Sequence, residues 1–417
     1  MAKKENIFII ISIIFISFMV IFYGSRLIHF YKISHQEEKL GESLISDVIN
    51  HKTYDKNVVK ENNNLYYKGN AMNNYLYYSN RYYRIIGIEN DKVIIVDDNI
   101  STILPFNGEF ASSDIYKWLN KDDDNTGVYY DSLSNKDILD ITKTCLDDSC
   151  NNYHQSLIGL ISRYQYNKAN SVNNYLNGGF YWFSDGSYID NSYNILENND
   201  ELYGVKAVLT LKDDTSYFGG TGTYYDPYLV TLEDAQAFNN IEAKIKVGSY
   251  ISYSDLIWRV TEINDNIKLV LNDTIGEFTF SSLNNKFDVE DKSSIANYLN
   301  NDFYNILDKT YLVKGKIKTG SFINSYLDKY NQELDAYVGM IEIGDLFIND
   351  VNNYLTLTNT GIKNTIFKVI DGRFYADSYK NSNLIRPVIF LDKDIKVIEG
   401  YGTIDNPFKV GEAWEKS

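Results

Sequence analysis

The chain has 417 residues, 44% of them hydrophobic, and a formal net charge of −16 at pH 7. That length is ample for domains with cores of their own. The acidity, with no basic cluster, excludes nucleic acid, whose binding needs Lys and Arg to displace counterions, and disfavours close contact with an anionic membrane surface.

In chain order, the first feature is Ile7–Tyr23, an apolar run broken only by Ser12 and Ser17. As a helix it spans roughly 26 Å, enough for a hydrocarbon core when flanking side chains snorkel. Lys3 and Lys4 precede it, Arg26 and Lys32 follow, and no A-x-A-like cleavage site comes after. Residues 1–32 therefore read as an uncleaved single-pass anchor whose partner is the lipid bilayer, with the C-terminal domains outside the cell. Residues 33–64 read as a juxtamembrane spacer. Leu40, Leu44, Ile45, Val48 and Ile49 suggest a short amphipathic helix, and Asn62-Asn63-Asn64 a loosening of the chain.

The remainder repeats itself. Val205–Val230 and Ile385–Val410 align without a gap at an offset of 180 residues, with Gly220/Gly400, Gly222/Gly402, Thr223/Thr403 and Pro227/Pro407 identical. Ser113–Asn120 matches Ser293–Asn300 at the same offset, as does Leu157–Ile161 with Tyr337–Ile341. Arg84–Ile100 matches Arg259–Ile275 at 175, and Asn173–Leu176 matches Asn352–Leu355 at 179. One unit has been used twice. The spacing predicts domains at 65–232 and 243–410, joined by a connector over Glu233–Glu242.

Strands are expected at Tyr82–Ile88 and Lys92–Val96, split by the turn-forming Glu89-Asn90-Asp91, and again at Leu256–Ile263 and Ile267–Leu271. A helix follows at Ser113–Asn120, and a glycine-rich hairpin closes each unit. Strands and helices mix without regular βαβ alternation, which predicts an α+β fold class.

Side chains able to carry chemistry are few. Cys145 and Cys150, spaced C-x4-C in a polar loop, suit a local disulfide in an exported domain. Zinc would need two more ligands, and His154 is the only one nearby. Lys121–Gly127 starts like a calcium loop, but Leu133 stands where a bidentate Glu is required. His29, His35 and His51 lie near the anchor, and no G-x-S-x-G occurs. Gly219–Thr223 lacks the G-K-[ST] ending of a phosphate loop. No metal or cofactor is called for. Arg84 and Arg259 recur at matching positions; each is either a ligand-binding cation or a buried guanidinium satisfying loop carbonyls and carboxylates, the latter being favoured beside an apolar strand. Lys206/Arg386 is a similar pair. Tyr181 and Trp182 are core candidates that in another setting form an aromatic platform for sugars or peptides.

Together these blocks resemble a family of tandem extracytoplasmic domains of Gram-positive-type bacteria. The resemblance rests on openings at Asn74–Ile88 (NYLYYSNRYYRIIGI) and Tyr253–Ile263, and on closings at Tyr203–Val230 and Leu384–Val410. Gly179–Gly186 resembles the family's aromatic strand, for which the second unit has Tyr354–Asn359. The family is related to the formylglycine-generating-enzyme branch of C-type-lectin-like folds. The resemblance implies two tandem C-type-lectin-like domains in which the first and last strands of each pair. The late cysteine pair of the enzyme branch is missing, as are the E-P-N, Q-P-D and W-N-D calcium sequences of the lectins. The expected function is a non-catalytic, membrane-anchored, cell-surface binding or adhesion protein for a cell-wall glycan or protein. The alternatives are an envelope-associated enzyme drawing on Asp122–Asn152, and a structural surface spacer.

Overall fold

The computed structural model describes residues 41, 43–51, 56–123, 125–169, 173–322 and 332–411. The expected anchor at Ile7–Tyr23 lies outside them, and no described helix is long and apolar enough to cross a membrane. The fold is largely β, with 40% of residues in strands and 14% in helices.

Each copy builds its core around a steep antiparallel hairpin. In the first, Arg81–Glu89 pairs with Lys92–Asp97, and Asn90 and Asp91 make the turn at φ 51° and 63°. Two successive left-handed residues match the twist of a two-residue hairpin, which is why Asn and Asp stand there. In the second, Leu256–Ile263 pairs with Asn266–Leu271. Ala207–Leu211 and Pro387–Asp392 then lie alongside these hairpins, carrying Ile158–Leu160 and Val338–Met340 on their far edges.

A helix N-capped by Ser113 covers the first copy at Asp114–Leu119; its counterpart starts at Ile295–Tyr298 behind Ser294 and runs on into a π turn. Asn120 donates to the Ile158 carbonyl at 2.9 Å and accepts from its N–H at 3.1 Å. Asn300 does the same to Val338, at 2.8 and 3.1 Å. The repeated helix motif is thus half packing and half a two-pronged clamp on a strand.

The closing segment folds back as expected in both copies: in the first through isolated antiparallel bridges, Gly219 with Leu229 and Thr223 with Asp226, and in the second through Lys396–Glu399 paired with Phe408–Gly411. Tyr228–Leu229 pairs in parallel with Tyr75–Tyr78, and Phe408–Gly411 in parallel with Tyr250–Tyr253, so the first and last of these strands meet in both copies. The glycine-rich turn lies so close to the returning strand that a Cβ on Gly220 would sit 1.8 Å from the Pro227 carbonyl oxygen, and one on Gly400 2.1 Å from that of Pro407. Both glycines also adopt positive φ, 92° and 91°.

Three sequence expectations change. Residues 43–51 and 56–64 are not a loose spacer: Ile45 and Ile49 of helix Ile45–Asn50 are buried in the first core, and Val58–Glu61 pairs with Asn64–Tyr67 across a tight Asn62-Asn63 turn. The Asn173–Leu176 match is out of register. Tyr181 pairs with Gly204 as Tyr354 pairs with Leu384, so the true counterparts there lie 173 apart. Finally, the copies are not separate bodies. One ten-stranded sheet runs through both, joined where Tyr203 faces Arg373, and a single hydrophobic cluster spans them.

Two outcomes follow. Gly220→Ala, with a strained φ and a backbone clash, loses at least about 2 kcal/mol in urea unfolding. Calorimetry of the chain gives one cooperative transition with matching calorimetric and van't Hoff enthalpies, because one sheet and one hydrophobic cluster run through both copies; two separated transitions would show independent copies.

Candidate functional site

The contact between copies shapes the surface. The hairpin Thr365–Ile370 to Arg373–Ser378 pushes its tip into the first copy, where the Phe180 N–H donates to the Asp371 carbonyl at 2.8 Å. A side chain at Gly372 would meet Ile100 Cδ1 at 2.2 Å and the Phe180 carbonyl at 2.8 Å. Arg373 forms an ion pair with Glu201 and lies over Tyr203, 5.4 Å from the ring centroid. The Trp118 indole donates to the Gly344 carbonyl at 2.8 Å, and the Phe347 N–H to that of Ser101 at 2.9 Å.

Two adjoining hollows on this seam are bordered in common by Asn99 and Ile100, and both touch Asn349. The larger, about 500 Å³, has Tyr82, Tyr224 and Tyr225 on the first copy facing Tyr250 and Arg259 on the second. Tyr82 and Tyr224 stack with centroids 4.8 Å apart and planes 17° from parallel. Tyr75 meets Tyr224 edge-on at 5.5 Å, and Tyr225 meets it at 5.3 Å while standing 89% exposed. Burial pushes the Tyr82 and Tyr224 hydroxyls above the ordinary tyrosine value, so they remain neutral donors. Stacked, partly exposed tyrosines backed by asparagines offer apolar faces with polar rims, the combination that suits sugar rings.

The second hollow, about 430 Å³, is strongly polar and holds Arg84, Asp98, Tyr175 and Lys206. Arg84 donates through Nε to Asn74 at 2.8 Å, reaches Asp98 at 3.5 Å and lies 3.9 Å from the Tyr75 ring centroid. Lys206 Nζ donates to the Asp98 backbone carbonyl at 2.8 Å. Burial pulls the Lys206 ammonium down to about 8; Asp98 and Asp97 oppose the shift and Arg84 adds to it.

Of the residues singled out from sequence, Arg84 and Arg259 are both buried and largely satisfied by the protein, yet each borders a hollow. Arg259 forms an ion pair with Asp350 and lies 3.6 Å from the Phe347 ring centroid. Tyr181 and Trp182 are wholly buried, the first donating to the Leu176 carbonyl and the second to that of Leu104. They are packing residues and no platform. Cys145 and Cys150 are joined as a disulfide with Cα atoms 4.7 Å apart. His154 packs edge-on against Tyr116 and Phe110, with centroids 5.3 and 5.9 Å away. Among the described residues no His, Cys, Asp and Glu cluster is arranged to hold a metal.

Sequence reasoning missed Tyr82, Tyr224 and Tyr225. The available signal was divergence: within a closing motif otherwise retained, Tyr224-Tyr225 is replaced by Ile404-Asp405 in the second copy. Comparison with protein-family models, curated proteins and solved structures finds no match to this chain.

The Lys206 shift has a definite sign. Its folded value lies below its unfolded one, so the stabilisation it confers is present at high pH and lost as pH falls through about 8. Relative to Lys206→Met, the natural chain gains about 1 kcal/mol between pH 7 and 9, read from urea midpoints; parallel profiles would show an unshifted lysine.

Proposed function

We propose that this protein is a membrane-anchored, cell-surface binding module without catalysis, which holds a cell-wall glycan in the tyrosine-lined cleft between its copies. The observation that carries the reading is the stacked Tyr82–Tyr224 pair with Tyr225 at the mouth of a cleft about 500 Å³ in volume. Aromatic side chains held ready by their neighbours lose little freedom on binding, and a sugar's apolar face covers them well.

The membrane anchor rests on the apolar run Ile7–Tyr23 and its basic flanks. The disulfide at Cys145–Cys150 fits an oxidising, extracytoplasmic setting. Assignment of each copy to the C-type-lectin-like folds draws on the resemblance of the opening and closing segments. Pairing of the closing strand with the opening segment, Tyr228–Leu229 with Tyr75–Tyr78 and Phe408–Gly411 with Tyr250–Tyr253, supports it, since pairing of the terminal strands is what that resemblance implies. The enzyme alternative has no comparable support: His154 packs against two aromatic rings. The spacer alternative draws on the rigid seam but leaves the exposed tyrosines without a role.

The test is a screen of glycans and cell-wall fragments against the full chain, with and without calcium. Binding is expected without calcium, and Tyr224→Ala weakens it at least about tenfold, the loss of one stacking surface. No binding to any fragment would leave the spacer reading in its place.

A further inference from the structure

The two copies treat their repeated arginine differently. In the second, the turn Phe347–Asp350 (FIND) brings the Asp350 carboxylate directly onto Arg259. In the first, the corresponding turn is the one whose Tyr175 ring faces Arg84 as Phe347 faces Arg259, and whose Leu176 carbonyl accepts from Tyr181 as that of Ile348 accepts from Tyr354; it reads Tyr175–Gly178 (YLNG) and has no acid. A Cβ on Gly178 would meet nothing within 4 Å. Where the second copy places its own carboxylate, the first leaves room.

The groups around that room are mostly donors. Tyr175, whose ring lies 5.1 Å from the Arg84 guanidinium, has a buried hydroxyl with no hydrogen-bond partner among the described residues, and so does the Nδ2 of Asn177. Lys206 uses one N–H on the Asp98 carbonyl and, among the described residues, has no carboxylate within ion-pair distance. The nearby acids are occupied. Asp97 accepts from Tyr129, Ser101 and the Ala207 N–H. Asp98 faces Arg84, and Asp371 takes amide hydrogens from Asn191 and Asn352. Two cations buried close together repel each other, and an anion between them removes that repulsion and satisfies the spare donors. The hollow is continuous in lining with the tyrosine cleft through Asn99, Ile100 and Asn349.

We infer that the pocket of Arg84, Lys206, Tyr175 and Asn177 receives the carboxylate of an acidic sugar whose neighbouring units lie in the tyrosine cleft. This rests on the glycan-binding reading and narrows it to acidic glycans. A carboxylate replaces, from outside, the one that Asp350 supplies internally to the second copy. Asparagine amides flanking the pocket suit the hydroxyls of a sugar ring better than the apolar side chains of a peptide.

The probes are a methyl disaccharide glycoside with one glucuronate unit (the glucuronide), its counterpart with glucose in that place (the glucoside) and an acetylated dipeptide with a free carboxylate, titrated against the full chain by calorimetry. Glucuronide is expected to bind at least about tenfold more tightly than glucoside, the margin of one charge-assisted pair. Asn177→Asp, which keeps the acceptor for the Tyr166 hydroxyl, fills the pocket with an internal carboxylate and abolishes that preference without lowering the melting temperature. Lys206→Met also removes the preference, while Tyr224→Ala weakens both sugars alike. Equal binding of both sugars, unchanged by Asn177→Asp but weakened by Tyr224→Ala, would overturn the acidic-sugar assignment and leave the glycan reading standing. Tighter binding of the peptide than of the glucuronide would overturn it in favour of a protein carboxylate. No binding by any probe in the natural chain would sink both.

Discussion

The tip of one hairpin in the second copy lies against the first so closely that residue 372 has room for no side chain. Everything distinctive about the molecule depends on that approach. It lets Tyr203 and Arg373 meet as neighbouring strand residues, carries one sheet through both copies and merges their cores. Hydrogen bonds from Trp118 to Gly344 and from Phe347 to Ser101 tie the same seam from other elements. A joint with buried, paired polar groups resists bending, since each opened bond exposes or strands its partners. The hollows beside the joint therefore have fixed shapes.

Duplication supplies the parts, and divergence makes them differ. Both copies bury an arginine on the same strand, but Arg259 pairs directly with Asp350, while Arg84 is held by neutral acceptors, Asn74 and the Ala71 carbonyl, and reaches the Asp98 carboxylate only at 3.5 Å. Arg386 of the second copy is held by the carbonyls of Leu271 and Phe347, whereas Lys206 at the matching position makes one such bond. A guanidinium, planar and always charged, tolerates a site built of carbonyls; an ammonium in the same kind of place gives up part of its hold on the proton. In the first copy the Tyr175 hydroxyl and Asn177 Nδ2 beside the arginine have no partner among the described residues, and that copy also carries the exposed tyrosine pair.

Much of this was legible in the residues. The hairpins at Arg81–Asp97 and Leu256–Leu271 follow from apolar runs split by Asn and Asp. The helix at Asp114–Leu119 follows from its serine cap and apolar spacing. Burial of Arg84 and Arg259 followed from their place beside apolar strands. Other readings failed for identifiable reasons. Asn62-Asn63 resembles a flexible stretch by composition, yet asparagine is also the residue that accepts left-handed φ in a tight turn. Asn173–Leu176 matched by letters, but pairing of Tyr181 and Tyr354 sets a different register. Trp182 was a candidate platform because strand periodicity does not say whether a second layer covers the face.

The amino-acid order by itself determined that a unit is duplicated, where its turns and caps fall, and which cations sit beside apolar strands. Those properties are local: they depend on φ preferences, side-chain period and spacing along the chain. Only the tertiary structure decided that the copies share one sheet and one core, and that Tyr82, Tyr224 and Lys206 border hollows at their seam. Such contacts join residues more than a hundred positions apart, as Tyr203 and Arg373 do. Their existence depends on shape complementarity between folded surfaces, which no window of sequence contains.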